Sequence, residues 1–178
     1  MSRTYAHPQE GDYAPYAIVY ISRVPQDGLL LDHLAAGDRA VETLMRGFSD
    51  ADRTTPHRAG EWTVQNILAH IIDTERVLCY RVLALARGEK KELPGFEEAE
   101  WAAVAGANGR SIDDLLAEYH AVRAATLPLV RSLPDSVMAN RGVANKYVYT
   151  VAGILYMIVG HELHHIASIH ENYGDKLR

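Results

Sequence analysis

Two histidines, His161 and His165, lie four positions apart in a segment with helical periodicity. Residues with this spacing lie one above the other on the same face of an α-helix, so both imidazoles can point at one position. The same stripe carries apolar residues and should therefore face the protein interior: Ile154, Ile158 and Ile169. Buried imidazoles need polar partners, and a metal ion would satisfy both of them. The pattern predicts a divalent metal site.

The segment His161–His165 also matches H-E-x-x-H, the motif of zinc proteases in which the glutamate is the general base. The longer form of that motif has a glycine where this chain has Ser168, and its third ligand is missing. The sequence also lacks the strand pattern that would form a sheet edge for binding a peptide. We therefore do not expect a peptidase.

A third ligand should come from another helix, and the second predicted helix contains one histidine, His70, on a mainly apolar stripe. Asp73 lies three residues further on the same side and could accept a hydrogen bond from a ligand imidazole or lie beside the metal. An ion pair between Asp73 and Arg76 on the helix surface is equally plausible. Three neutral imidazoles would leave coordination positions open to water or substrate, which is typical of catalytic sites.

The candidate catalytic residues are Asp73 and Glu162, either as support for a ligand or as a proton acceptor. Glu162 directly follows His161 and so points about 100° away around the helix. We expect it more readily at the solvent surface or at an interface. Arg81 and Tyr80 could bind an anionic group of a substrate, although a packing role is equally plausible. The other histidines are interpreted as structural or surface residues: His7, His33, His57, His120, His164 and His170.

Helical periodicity recurs over four long segments and predicts an all-α four-helix bundle with a long crossover between its second and third helices. The expected helices are Asp27–Phe48, Thr63–Arg87, Ser111–Leu133 and Thr150–Gly174, with a short helix near 97–104 in the crossover. Thr63 and Ser111 are the predicted N-caps, and Pro128 should kink or interrupt the third helix. Residues 1–26 are expected to form an extended apolar arm on a single bundle domain, 27–178.

The composition excludes several other classes. The 18 basic and 23 acidic residues give a net charge of −5, which argues against binding to nucleic acid. The single cysteine, Cys79, allows no disulfide within the chain and fits a reducing compartment. The most apolar stretch, Val151–Val159, is too short to span a membrane. We expect a cytoplasmic protein.

At these residues the chain resembles the DinB-like (YfiT-like) superfamily of metal-dependent four-helix-bundle proteins. The resemblance extends from about Tyr13 to Tyr173, and it rests on the order and spacing of several segments rather than on one of them. These are Gly60–Thr63, His70–Arg76, Tyr80–Arg81 with Leu83–Gly88, Leu93–Phe96 and Gly160–His165. The resemblance implies an up-down-down-up bundle, often a homodimer, with a zinc or nickel ion held by His70, His161 and His165.

Relatives of this kind include transferases that join a low-molecular-weight thiol to electrophiles, and isomerases that depend on such thiols. The resemblance and the open site together predict a metal-dependent enzyme acting on a small molecule, either a thiol S-transferase or a hydrolase. Two alternatives remain open. One is a non-catalytic stress-response or binding module with a structural metal, and the other is a dimeric bundle without metal.

Overall fold

Four long helices form the body of the protein, whose computed structural model describes residues 3–178. The four predicted long helices are confirmed, and their ends differ from the predicted ends by a few residues. In chain order the elements are α1 (Ile18–Ile21), α2 (Leu30–Arg46), α3 (Asp50–Thr54), α4 (Val64–Ala86), α5 (Glu98–Val104), α6 (Ile112–Ser132), β1 (Arg141–Ala144), β2 (Tyr147–Thr150) and α7 (Val151–Tyr173). The short predicted helix in the crossover is α5, and α3 was not predicted.

Side-chain caps fix where three of the long helices begin. The Thr63 side chain accepts a hydrogen bond from the Asn66 backbone amide, and the Asn66 side chain accepts one from the Thr63 backbone amide, which forms a capping box. Ser111 and Thr150 cap α6 and α7 in the same way, through the amides of Asp114 and Gly153. Because a cap acts within one helical turn, these starts could be predicted from the sequence.

The helices pack around a shared core in which α4 contacts α6 and α7, and α2 contacts the same two helices. Two groups of buried apolar side chains fill the bundle. One lies towards the arm and the hairpin and includes Leu78, Val82 and Ile154. The other lies towards the opposite end and includes Leu68, Leu115 and Ile169. Both groups include residues of α4 and α7, so these two helices pack against each other along their length.

The N-terminal arm, which was predicted to be extended, contains a helical segment that contacts α7. Pro15 opens a single 3-10 turn, and α1 follows it directly. Proline at the first helical position is favoured because its missing amide has no partner there anyway. The arm approaches α7 closely at Gly160, where a Cβ atom would lie 2.3 Å from the carbonyl oxygen of Tyr20. Because Gly160 has no side chain, α1 packs directly against the backbone of α7 next to His161.

A β-hairpin between α6 and α7 was not predicted. β1 and β2 pair antiparallel, and the two residues between them, Asn145 and Lys146, have φ of 47° and 69°. Two consecutive residues with positive φ are typical of the tight turn that joins hairpin strands. Strands of four residues are too short to show a sustained alternating pattern, so the sequence alone did not reveal them.

Pro128 neither ends nor divides α6, which continues through it to Ser132.

Among the described helices, none combines the length and the apolar character that crossing a membrane would require.

Candidate metal centre

Three imidazoles from two helices meet at one position between α4 and α7. The Nε2 atom of His161 lies 2.9 Å from Nε2 of His70 and 3.1 Å from Nε2 of His165. All three ligand atoms fall within 4.8 Å of one another. Two nitrogens that bind one zinc ion at about 2.0–2.1 Å lie roughly 3 Å apart, so the spacing fits a shared ion.

Hydrogen bonding among the three rings cannot account for this arrangement. In a neutral imidazole, Nε2 carries either one hydrogen or one lone pair in the ring plane. The Nε2 atom of His161 approaches two other Nε2 atoms, so it cannot satisfy both of them by hydrogen bonds. A cation accepts a lone pair from each nitrogen at once, and the donor set therefore fits a divalent metal ion.

The surroundings keep these rings uncharged at neutral pH. Burial lowers the pKa of His70 to about 4. Burial together with the neighbouring His70 and His164 lowers the pKa of His165 to about 3. The pKa of His161 is also lowered well below its usual value, chiefly by burial. Metal binding requires the neutral ring, so burial prepares all three residues as ligands.

The centre is enclosed on one side and more open on another. His161 and His70 are only 4% and 5% exposed, whereas His165 is half-buried. The ring of Trp62 lies 4.8 Å from that of His70, and the ring of Tyr20 lies 5.3 Å from that of His161. The side of the centre at His165 is therefore the less enclosed one, and the aromatic rings of Trp62 and Tyr20 flank the other two histidines.

The polar neighbour of His70 is Thr74. Its hydroxyl lies 3.5 Å from Nδ1 of His70, one turn along the same helix. Asp73, the residue proposed from the sequence for this position, points instead towards Arg76, with 3.6 Å between the Asp73 carboxylate and the Arg76 guanidinium. Burial raises the pKa of Asp73, and the Arg76 charge lowers it. Its catalytic role stays a prediction.

Glu162 is not a surface or interface carboxylate, and that expectation is wrong. It is 3% exposed and lies inside the bundle, where Tyr119 donates a hydrogen bond to its Oε2 at 2.6 Å. Arg123 donates to the same oxygen. The 100° step from His161 thus directs Glu162 towards α2 and α6, while His161 is directed towards α4.

Arg123 joins this carboxylate to a second one. Its Nε and Nη2 atoms donate to the two carboxylate oxygens of Glu75 at 3.0 and 2.9 Å. Thr126 also donates to Glu75, at 2.6 Å. Arg123, Glu75 and Glu162 therefore form a buried ion cluster, which we call the Arg123 cluster. Its bidentate geometry fixes α4, α6 and α7 relative to one another.

The sequence of the bundle matches the profile of the DinB superfamily over residues 33–169, a range that includes all three histidines. The chain belongs to the DinB superfamily. Membership agrees with the resemblance that the motifs indicated, because the matched range covers the four long helices almost completely.

Curated proteins from Geobacillus and Bacillus are similar to this DinB-superfamily chain. It is 26% identical over 134 residues to a Geobacillus thermodenitrificans protein named "Putative metal-dependent hydrolase", covering 73% of this chain and 74% of the relative. It is also 26% identical over 136 residues to "Putative metal-dependent hydrolase YfiT" of Bacillus subtilis, covering 75% and 74%.

Solved structures share the fold. YfiT from Bacillus subtilis, described as a probable metal-dependent hydrolase with an unusual four-helix bundle topology, superposes with a TM-score of 0.77 at 20% identity, covering 94% of this chain and 91% of that one. A mycothiol-dependent maleylpyruvate isomerase superposes with a TM-score of 0.65 at 15% identity, covering 83% and 61%. At these identities the similarity establishes the four-helix-bundle topology.

Several residues around the centre of this DinB-superfamily chain were not singled out from its sequence. Trp62 and Tyr20, whose rings lie beside His70 and His161, were not among the predicted site residues. Arg123 was not a predicted site residue either. A basic residue between apolar helix positions, in a helix predicted to pack, was the one available signal for the Arg123 cluster.

Proposed function

We propose that this protein is a metal-dependent enzyme in which His70, His161 and His165 hold one divalent ion and a small molecule reacts beside it. The observation that carries the proposal is the convergence of three Nε2 atoms, with 2.9 and 3.1 Å between them, on a half-buried edge of the bundle. Structural zinc sites are usually closed by four protein ligands, whereas three leave a position for a reactant. The names of the curated relatives support the same class.

When bound, such an ion lowers the pKa of a coordinated water or thiol and so supplies a nucleophile at neutral pH. The chain's own residues hold and orient the ligands. Thr74 contacts the second ring nitrogen of His70, and the Arg123 cluster fixes the rotation of α7 that presents His161 to α4. Trp62 and Tyr20 restrict access of water from the sides. Asp73, three residues after His70 on α4, is the proposed proton acceptor, although its carboxylate faces Arg76 in this structure.

Two reactions fit this centre, and they differ in the nucleophile. Hydrolysis uses water and is supported by the names of the curated relatives. Transfer of a low-molecular-weight thiol is supported by the mycothiol-dependent isomerase that shares the fold. The chain's own cysteine does not supply the thiol, because burial raises the pKa of Cys79 to about 11. A thiol nucleophile would therefore be a separate small molecule.

The test begins with metal analysis of the purified protein and of His161→Ala. We expect about one equivalent of divalent metal in the parent protein and a loss of most of it in the variant. His170→Ala is the matched control, because His170 is an exposed histidine on the same helix. Both variants are then assayed for ester hydrolysis and for conjugation of low-molecular-weight thiols to electrophiles.

Turnover that disappears in His161→Ala and persists in His170→Ala supports the enzyme. Turnover that survives the loss of metal would contradict it. A protein that binds metal, unfolds when a chelator is added and turns over nothing in either assay would favour the alternative, a non-catalytic module with a structural metal. The absence of metal from freshly purified protein, with no uptake of zinc or nickel, would favour the metal-free bundle.

Zinc or nickel, the homodimer and the cytoplasmic location stay predictions. Exposed apolar side chains that could cover a dimer interface occur on α1 and β2, notably Ile18, Val19 and Val148. Light scattering on the purified protein measures the oligomeric state, and Ile18→Glu should shift it towards the monomer if these residues form the interface.

A further inference from the structure

A groove of about 360 Å³ runs along α4, close to the crossover segment. One of its sides is the stretch of α4 from Asp73 to Arg81, and the other is made by residues 94–96 and by Trp101 of α5. A volume of this size suits a small organic molecule rather than a macromolecule. It is separate from the Arg123 cluster, because none of the three residues of that cluster lines it.

One side chain of the groove is a buried cation. Arg81 is only 4% exposed, and its Nη2 atom donates to the carbonyl oxygen of Pro94 at 2.8 Å. Its Nε atom is buried and has no hydrogen-bond partner. Within residues 3–178 no carboxylate forms an ion pair with Arg81, although Glu98 of α5 is near enough for the two charges to interact.

A buried guanidinium without a negative partner is costly, because burial removes it from water without replacing the lost interactions. The contrast with Arg123, which is also buried, is direct: Arg123 contacts two carboxylates. Arg81 therefore lines the groove with a positive charge that no carboxylate of residues 3–178 pairs with. An anion supplied by a ligand would balance this charge.

The remaining lining indicates what carries this anion. Phe96 and Trp101 pack against each other, with 4.8 Å between ring centroids, and Trp101 is 43% exposed. Tyr80 adds a third ring and is 55% exposed. Aromatic surfaces exposed around a groove favour a flat or apolar ligand, which would cover them on binding.

We propose that this groove is a subsite for an organic anion, whose carboxylate binds Arg81 and whose aromatic or apolar body packs against Phe96 and Trp101. In α4, Arg81 and Val77 follow His70 by eleven and seven residues, which places them within about 20° of the same helix face and about 16 and 10 Å further along the axis. The subsite therefore continues the side of α4 that carries the first histidine. The inference rests on the proposed function in so far as it names the class of substrate.

The experiment compares two probes with the same aromatic body, 2-naphthoate and its uncharged analogue 2-naphthamide, by calorimetry on the full-length protein treated with chelator. We expect 2-naphthoate to bind at least about tenfold more tightly than 2-naphthamide, because only the acid forms a charge-assisted contact with Arg81. Arg81→Met should reduce the affinity for 2-naphthoate to that for 2-naphthamide. Arg87→Met is the matched control, since Arg87 is an exposed arginine at the end of the same helix.

Trp101→Ala is a second variant, at an exposed position. It should lower the affinity for both probes and leave the preference for 2-naphthoate over 2-naphthamide unchanged. It decides the location if Arg81→Met does not fold. Equal affinities for the two probes, or full binding of 2-naphthoate by Arg81→Met, would overturn the inference and leave Arg81 with a packing role only. Because binding is measured without metal, the subsite can fail while the enzyme is active, and the enzyme can fail while the subsite binds.

Discussion

The Glu162 carboxylate lies directly against the backbone of Gly37, where a Cβ atom would be 1.8 Å from its Oε1. Only glycine leaves this space on α2. The carboxylate fills it and reaches Arg123, and the rotation of α7 about its axis is fixed as a result. His161, the preceding residue, is thereby presented to α4 rather than to α2.

The first prediction concerns this contact. In Gly37→Ala the new methyl group would overlap Glu162, so either the carboxylate or α2 has to move. We expect a loss of about 1–3 kcal/mol in the free energy of unfolding from overpacking, partly offset by about 1 kcal/mol because alanine favours helix. Urea denaturation measures the difference.

Gly109→Ala is the control, because a Cβ atom there would meet no atom within 4 Å. It should leave the midpoint unchanged or raise it slightly. If both variants were equally stable, the packing of Glu162 against Gly37 would not constrain α7.

The second prediction concerns the charge balance of the Arg123 cluster. Arg123→Met would leave Glu75 and Glu162 buried without their cation, and breaking a buried pair in this way costs about 3–5 kcal/mol. Arg46→Met removes an arginine that is half exposed between Glu42 and Asp113, and should cost at most about 1 kcal/mol. Chemical denaturation of the two variants compares them. Similar losses would mean that the buried cluster adds no more stability than a surface pair.

The third prediction links metal binding to thermal stability. Zinc at about 100 times its dissociation constant should stabilise the folded protein by about 2.7 kcal/mol, because the ligands come together only in the native state. For a chain of this size that corresponds to a rise in Tm of roughly 5–10 °C. Differential scanning fluorimetry with zinc and with a chelator measures it. His161→Ala should show almost no shift, and an undiminished shift in that variant would place the metal elsewhere.

The fourth prediction concerns Cys79, whose pKa is raised to about 11 by burial and lowered in part by its contact with Thr126. Folding therefore favours the protonated thiol. Its contribution to stability is complete below the ordinary pKa of about 9 and is lost as the pH rises towards 11. At pH 8 the native thiol should react with a disulfide reagent roughly a hundredfold more slowly than the urea-unfolded chain. Equal rates would show that Cys79 is accessible and ionises normally.

The sequence by itself determined the long helices and the faces that they bury. Caps at Thr63 and Ser111 and apolar spacing act within a few residues, so they could be predicted without knowledge of the fold. The spacing of His161 and His165 indicated a shared direction for the same reason. The pairing with His70 needed one further assumption, namely that apolar stripes of two helices face each other in a bundle.

The tertiary structure alone decided which charges meet inside the bundle. Arg123 and Glu162 lie 39 residues apart, and Arg123 and Glu75 lie 48 apart. Arg123 stands between apolar helix positions, but no local pattern indicates which distant carboxylates it contacts. The same holds for Arg81, which is buried because the crossover segment around Pro94 folds over it. Local propensity depends on neighbours along the chain, whereas the burial of a charge depends on which distant segments cover it, and only the packed bundle determines that.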